Sequence, residues 1–320
     1  MKELIKAFKR NGIIPVVKLE NPDNAIQLTR SLLKGGITCI EITFRSAAAE
    51  ESIRRISKEV TEAIVGAGTV LTIEQAEKAL QAGAKFLVTP GFNPTIVDFA
   101  LSKDIPIFPG VNTPTSIEAA LEKGLKILKF FPAELSGGCK ILKAFSGPYQ
   151  SLKFIPTGGI KPSNLNDYLS LPNVLACGGS WLVNPKLIEA KNFDEIERLA
   201  TEAVDTMLDF KLSRIGINTN SEEEAINNAN EIYKMFKFPL KMEESSIFNG
   251  EEFEWNKNPS SVKRGHICIT TKNIEGAIAY LERKGICTKE ETREEENGEL
   301  TAIYLDIELG GFTFCLVEKK

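Results

Sequence analysis

The sequence predicts an α/β protein in which a (β/α)8 TIM barrel is followed by a smaller α+β domain of paired βαβββ units. Three observations carry that prediction. From about residue 13 to 183, short apolar runs alternate with amphipathic stretches of roughly 10 residues, the pattern of parallel strands joined by helices. No glycine-rich dinucleotide turn follows the first run, which disfavours a doubly wound open sheet. Beyond Leu212 the pattern and the charge both change: the segment from Ser213 carries 14 Lys/Arg against 20 Asp/Glu, leaving 25 against 23 before it. The domains are therefore expected at 1–212 and 213–320.

In chain order, the barrel strands are expected at 13–17, 38–43, 63–67, 86–88, 106–108, 126–130, 153–155 and 174–177, with helical segments such as 24–34 and 73–82 between them. A helix over 193–211 ends the first domain. The second part carries a faint repeat: Arg214-Ile215-Gly216-Ile217-Asn218-Thr219 and a helix through Phe236 resemble His266-Ile267-Cys268-Ile269-Thr270-Thr271 and a helix through Lys284. Each copy runs into a hairpin-like segment, 246–255 and 300–317, the latter turning at Gly310-Gly311.

Composition narrows the function. With 42% apolar and 26% charged residues in 320, the chain can bury two ordinary cores. No apolar run approaches the ~18 residues of a membrane span. Residues 1–10 alternate charged and apolar positions and lack the apolar core of a secretory signal, so a cytoplasmic protein without membrane or nucleic-acid partners is expected. Six cysteines, Cys39, Cys139, Cys177, Cys268, Cys287 and Cys315, form no C-x-x-C pair and are expected as free thiols. One histidine, His266, is too few for multi-His metal sites or Ser/His and Cys/His nucleophile systems outside its own neighbourhood. Acid–base work falls to lysine and carboxylates.

In a (β/α)8 barrel the chemistry sits at the C-terminal ends of the strands. Lys129, in Leu128-Lys129-Phe130-Phe131-Pro132-Ala133-Glu134, ends the expected sixth strand between bulky apolar residues. Such a lysine is either a solvated strand end or an amine kept neutral and nucleophilic by a water-poor pocket. Glu41 ends the second strand in Cys39-Ile40-Glu41-Ile42-Thr43-Phe44-Arg45, on the opposite side of an eight-stranded ring. Strand alternation puts Glu41, Thr43 and Arg45 on one face, and Ile127, Lys129 and Phe131 on one face. A carboxylate bracketed by isoleucines in a buried strand is costly without a purpose. Arg45 either pairs with a local glutamate or grips a substrate carboxylate.

Glycine-rich turns complete the candidate site. Pro156-Thr157-Gly158-Gly159-Ile160 and Gly178-Gly179-Ser180-Trp181 follow the seventh and eighth strands, where barrels cradle phosphate with backbone N–H groups. Gly66-Ala67-Gly68-Thr69-Val70 follows the third and offers the Thr69 hydroxyl to the mouth. Lys18, at the first strand's end, either adds positive charge there or is solvated.

With these motifs in their order, the first ~210 residues resemble the 2-keto-3-deoxy-6-phosphogluconate (KDPG) / 4-hydroxy-2-oxoglutarate (KHG) aldolase family, whose catalytic groups stand at the strand ends as above. The resemblance implies a class I lyase in which Lys129 forms the imine and Glu41 is the general acid/base. It implies that Arg45 and Thr69 hold the pyruvate half and that Gly158, Gly159 and Ser180 hold phosphate, and it extends the substrate-binding set to Pro90, Phe131, Thr157 and Gly179. It implies no metal and no cofactor, small keto-acid substrates, and a homotrimer. A phosphosugar isomerase or epimerase on the same barrel, or a metabolite sensor acting through the second domain, are the alternatives. The paired βαβββ pattern resembles the glyoxalase (vicinal oxygen chelate) superfamily in outline. There His266 and Glu318 occupy ligand-like positions, but Arg214 stands where the first copy would need a ligand.

Overall fold

Parallel strands buried on both faces organise the first half of the chain. β1 (Ile13–Val17) and β2 (Cys39–Thr43) are buried at every position, as expected when helices cover one face and a packed interior the other. The computed structural model describes residues 1–258 and 264–319 and divides into two compact units, Met1–Met207 and Leu208–Lys320. Among the described residues no helix is long and apolar enough to cross a membrane.

In the first unit, β1 and β2 join β3 (Ile64–Gly68), β4 (Leu87–Val88), β5 (Ile107–Phe108) and, defined last along the chain, β9 (Cys177–Gly179) in one sheet of order β5-β4-β3-β2-β1-β9. β6 (Gly110–Val111), β7 (Ile127–Phe130) and β8 (Lys153–Pro156) form a second, three-stranded sheet. Every pairing in both is parallel. β5 and β6 are one extended run interrupted at Pro109, which has no N–H to give to a ladder. At the other side, bridges Phe154↔Val174 and Thr157↔Gly178 link β8 to the chain leading into β9. The result is a curled parallel sheet.

Two expected strands differ in detail. The run at 106–108 extends past Pro109 as β6, and the strand expected at 174–177 is realised as Cys177–Gly179. Gly178 and Gly179 have little intrinsic strand preference, yet they stand in register with Ile14 and Pro15 of β1, so the partner strand decides their conformation.

Local signals set the helices that follow the strands. Thr72, Asn93 and Thr113 are extended and cap the helices Ile73–Gln81, Pro94–Ser102 and Pro114–Glu122 with their side-chain oxygens. Asn93-Pro94 and Thr113-Pro114 fix those starts twice over, because proline pushes its predecessor out of the helical region and itself suits the first helical position. The helix Lys2–Asn11 turns Leu4 and Phe8 inward. Phe8, Phe86 and Phe108 then meet with ring centroids 5.1, 5.3 and 5.9 Å apart and, with Ile14, Cys39, Val88 and Ile155, fill the interior.

The second unit is one eight-stranded sheet of order β11-β12-β13-β10-β14-β17-β16-β15. Its strands are β10 (Lys211–Asn218), β11 (Leu240–Met242), β12 (Ser246–Asn249), β13 (Phe253–Asn256), β14 (Gly265–Thr271), β15 (Glu294–Glu296), β16 (Glu299–Leu309) and β17 (Phe312–Glu318). Helices Glu222–Phe236 and Ile274–Arg283 follow β10 and β14, so strand, helix and three strands occur twice. The β16–β17 hairpin turns at Gly310 and Gly311, both at positive φ (62° and 85°), as a two-residue hairpin loop requires. The helix expected over 193–211 ends at Leu208, and Lys211 already belongs to β10. The expectation of free thiols fails for one pair: Cys268 and Cys315 stand opposite each other in the parallel strands β14 and β17 and are joined in a disulfide. Forty-seven residues separate them in sequence, and only the strand register brings them together.

Phe8 is fully buried at the centre of the aromatic cluster. Phe8→Ala is expected to destabilise the first unit by about 3–5 kcal/mol. The chain has one tryptophan in each unit, Trp181 and Trp255. Urea unfolding followed by Trp181 fluorescence in a Trp255→Phe background measures the loss, and a shift below about 1 kcal/mol would contradict this packing.

Candidate active site

Strand alternation aims Cys39, Glu41 and Thr43 of β2 into the interior, and likewise Ile127 and Lys129 of β7. Lys129 Nζ lies 3.3 Å from Glu41 Oε1. The two residues are only 6% and 4% exposed. They line a small cavity floored by Phe86, Phe108 and Ile155 and flanked by Thr157 and Gly178. β2 and β7 are not neighbours in either sheet, so curvature of the sheet makes this contact.

Small residues make room for it. Glu41 pairs with Gly66 and Lys129 with Gly110. A Cβ on Gly68 would stand 2.0 Å from Glu41 Oε1, and one on Gly178 would stand 2.2 Å from the Thr157 hydroxyl. The glycine in each case is required by the side chain it faces.

The other expected residues stand around this pair at varied depth. Arg45, exposed and two residues beyond β2, donates from Nε to Thr43 Oγ1 at 3.1 Å, and Thr43 donates to the Val17 carbonyl at 2.7 Å. Thr43 thus ties the arginine to the strand ends, a role that the alternation Glu41-x-Thr43-x-Arg45 could have signalled. Thr69 has φ +53°, an uncommon conformation for a β-branched residue that costs on the order of 1–3 kcal/mol. Hydrogen bonds on either side, Phe44 N–H to Gly68 O (2.8 Å) and Val70 N–H to Val88 O (3.2 Å), hold it there. Pro90 is half-buried after β4, and its carbonyl is the first atom that a side chain at Gly110 would strike. The ring of Phe131 lies 5.6 Å from Lys129 Nζ.

Thr157 is buried, and its N–H donates to Phe130 O at 2.9 Å. Gly158 and Gly159 follow with φ +99° and +83°. The carbonyls of Thr157 and Gly158 accept from Ala133 and Glu134 N–H, at 2.8 and 3.1 Å, which pins this turn to the segment after Lys129. Among the described residues, the N–H groups of Gly158, Gly159 and Ser180 donate to no protein acceptor. Gly179 packs its open face on the Trp181 ring, and Ser180 is exposed. Glu134 is a participant that the sequence reading passed over: it accepts a hydrogen bond from the Tyr168 hydroxyl, and a Cβ on Gly159 would lie 2.4 Å from its Cγ.

Other groups are set apart. Lys18 pairs with Glu20 at 2.5 Å, while the charge paired with the Lys129 amine is the Glu41 carboxylate at 3.3 Å. The thiols near the interior are poor nucleophiles: burial pushes Cys39 up to about 12 and raises Cys177 further.

A family model for KDPG and KHG aldolases matches residues 4–199. The chain belongs to the KDPG and KHG aldolase family. Among members of this aldolase family, the 2-dehydro-3-deoxy-phosphogluconate aldolase of Haemophilus influenzae is 48% identical over 204 residues, covering 64% of this chain and 96% of that protein. The KHG/KDPG aldolase of Escherichia coli K12 is 44% identical over 193 residues, 60% of this chain and 91% of that protein. The KDPG aldolase of Legionella pneumophila, solved with pyruvate captured as a covalent carbinolamine, superposes with a TM-score of 0.60 at 35% identity, covering 62% of this chain and 96% of that one. The KDPG aldolase of Zymomonas mobilis ZM4, solved with 3-phosphoglycerate, gives 0.58 at 36% identity, covering 62% and 94%.

The clearance at Gly68 yields a test. Gly68→Ala pushes Glu41 off Lys129, and aldol cleavage is expected to fall at least ~10-fold, about 1.4 kcal/mol of lost transition-state stabilisation. Pyruvate release measured beside a circular-dichroism melt decides it: unchanged turnover in a folded variant would refute the requirement.

Proposed function

We propose that the chain is a class I aldolase. It reversibly cleaves 2-keto-3-deoxy-6-phosphogluconate to pyruvate and glyceraldehyde 3-phosphate, and 4-hydroxy-2-oxoglutarate to pyruvate and glyoxylate. The observation that carries this reading is the buried 3.3 Å contact between the Lys129 amine and the Glu41 carboxylate. Family membership and the named activities of the relatives support it.

Proton transfer from Lys129 to Glu41 frees an amine in a water-poor pocket, and the amine adds to the C2 ketone of the substrate. Glu41 returns that proton to the hydroxyl that leaves as water, giving a protonated imine. As a carboxylate again, Glu41 takes the C4 hydroxyl proton, directly or through water. The C3–C4 bond breaks, its electron pair passes into the imine as an enamine, and the aldehyde departs. Reprotonation at C3 and hydrolysis then release pyruvate and restore Lys129. The imine supplies the polarisation that a Lewis acid would otherwise give.

Arg45 and Thr69 take the pyruvate carboxylate, with Pro90 and Phe131 as walls. Thr157, Gly158, Gly159, Gly179 and Ser180 take the phosphate. The N–H groups of Gly158, Gly159 and Ser180, without protein acceptors among the described residues, support that assignment, since backbone donors in glycine loops bind anions. We read the two parallel sheets as one (β/α)8 barrel: the continuity across Pro109 and the Thr157↔Gly178 bridge support closure. In that ring β7 lies equally many strands from β2 in both directions, which accounts for the contact across the mouth. We further assign the aldolase to 1–212 and a glyoxalase-like domain to 213–320, a cytoplasmic location, and a homotrimer, resting on the family resemblance.

Borohydride reduction in the presence of pyruvate is expected to add the mass of a reduced pyruvate imine to the peptide bearing Lys129. Lys129→Ala should lose both the adduct and at least ~10³-fold of the cleavage rate, as removal of a covalent nucleophile does. An untrapped wild type that turns over substrate would point to non-covalent chemistry on Glu41 instead. Cleavage of both acids and the molar mass by light scattering, measured for the full chain and for residues 1–212, test the domain and assembly assignments. A trimer and both rates that persist in the truncated chain are the expected result.

A further inference from the structure

The second unit contains a cavity of about 460 Å³ that the aldolase chemistry does not use. Ser246, Glu254, Asn256, His266, Lys289 and Tyr304 shape it. Glu254 is only 9% exposed, and Ser246 donates to its Oε1 at 2.9 Å. Its other oxygen lies 3.2 Å from Arg214 Nε and 3.3 Å from His266 Nε2. Burial raises the Glu254 pKa, but His266, the Arg214 charge and the Ser246 hydroxyl outweigh it, so the carboxylate is held below its ordinary range and stays charged.

This arrangement is built around an arginine. The guanidinium of Arg214 already supplies the positive charge that a buried Glu and His would otherwise take from a metal ion. Among the described residues no three His, Cys, Asp or Glu side chains converge. With Glu254 neutralised from behind, Lys289 is the surplus charge at the lining, because its partner Asp306 stands 3.8 Å away and is 68% exposed. The remaining groups are held in fixed orientations. Asn256 donates to Asn218 Oδ1 at 2.8 Å, Ser246 Oγ lies 3.2 Å from Asn256 Oδ1, and the His266 ring packs edge-on to Tyr304 at 5.9 Å. The Tyr304 hydroxyl takes no partner among the described residues, although its ring is mostly buried.

We propose that this cleft is a second, metal-independent binding site for a small hydroxyl-bearing organic anion, its acidic group against Lys289 and its hydroxyls along Ser246, Asn256 and Tyr304. The volume falls within the roughly 300–1,000 Å³ of small-molecule sites. The Tyr304 hydroxyl, with no partner among the described residues, and the polar edges of Ser246 and Asn256 beside it select for a ligand that can hydrogen-bond, and against an apolar one of equal size.

Isothermal titration of the full chain with gluconate, 6-phosphogluconate and inorganic phosphate, in EDTA, tests the assignment. At least one sugar acid is expected to bind saturably, more tightly than inorganic phosphate. Lys289→Ala, at a partly exposed position where folding is not at risk, should weaken this class of sites at least tenfold, and Tyr304→Phe at least threefold. Lys129→Ala and Arg45→Ala should leave it intact. Absence of sugar-acid binding, binding that requires Zn²⁺ or Mg²⁺, preference for inorganic phosphate, or loss in Arg45→Ala with retention in Lys289→Ala would each overturn the proposal.

Discussion

The first unit depends on one interaction, the buried contact of Lys129 with Glu41. Two opposite charges almost without solvent are no source of stability: desolvation offsets their attraction, and removing either one leaves the other stranded at a cost of about 3–5 kcal/mol. The surroundings therefore have to deliver both groups to one point from strands that are not adjacent. The aromatic floor of Phe8, Phe86 and Phe108 supports the pair from below. Glycines at 66, 68 and 178 leave room for the Phe86 ring, the Glu41 carboxylate and the Thr157 side chain, and Gly110 admits the Pro90 backbone. The same residues that look like weak points in a strand are the condition for burying the charges.

Around the pair, unusual backbone geometry takes over from side-chain packing. Thr69 is held at positive φ by hydrogen bonds on both sides, and Gly158 and Gly159 continue that use of unusual backbone. The turn at 157–159 is fixed by the Thr157 and Gly158 carbonyls, which accept from the segment after Lys129, while the N–H groups of Gly158 and Gly159 meet no acceptor among the described residues. Fixing one side of a peptide and leaving the other side free is how a loop becomes a preorganised donor set. The amine and this turn are thus one connected piece: the segment after Lys129 reaches Ala133 and Glu134, which grip the turn through its carbonyls.

Much of this was legible in the sequence, for identifiable reasons. Strands β1, β2 and β7 announce themselves as apolar runs rich in β-branched or bulky residues, and alternation is enough to give Glu41 the face of Thr43 and Lys129 the face of Ile127. What alternation cannot supply is pairing. Gly178 and Gly179 join a ladder only because β1 lies beside them, and Cys268 meets Cys315 only through the register of β14 on β17. Arg214 could be seen as the residue that breaks a ligand pattern. Its partner Glu254 could not, since the two are brought together by the β10–β13 pairing. Glu318 shows the reverse error, for its side chain accepts from the Ile274 N–H at a helix start and is not turned toward His266.

The two units bury a carboxylate against a cation in similar fashion, and the identity of the cation separates their chemistry. Lys129 is an amine that can hand its proton to Glu41 across 3.3 Å and become a nucleophile, so burial of that pair stores a reactive group. Arg214 cannot lose its proton, and its guanidinium beside Glu254 can do no more than hold charge and shape. In the reaction proposed above, the site built on the first pair changes covalent state during turnover. A site built on the second keeps a constant electrostatic outline, which suits recognition of a ligand that enters and leaves unchanged.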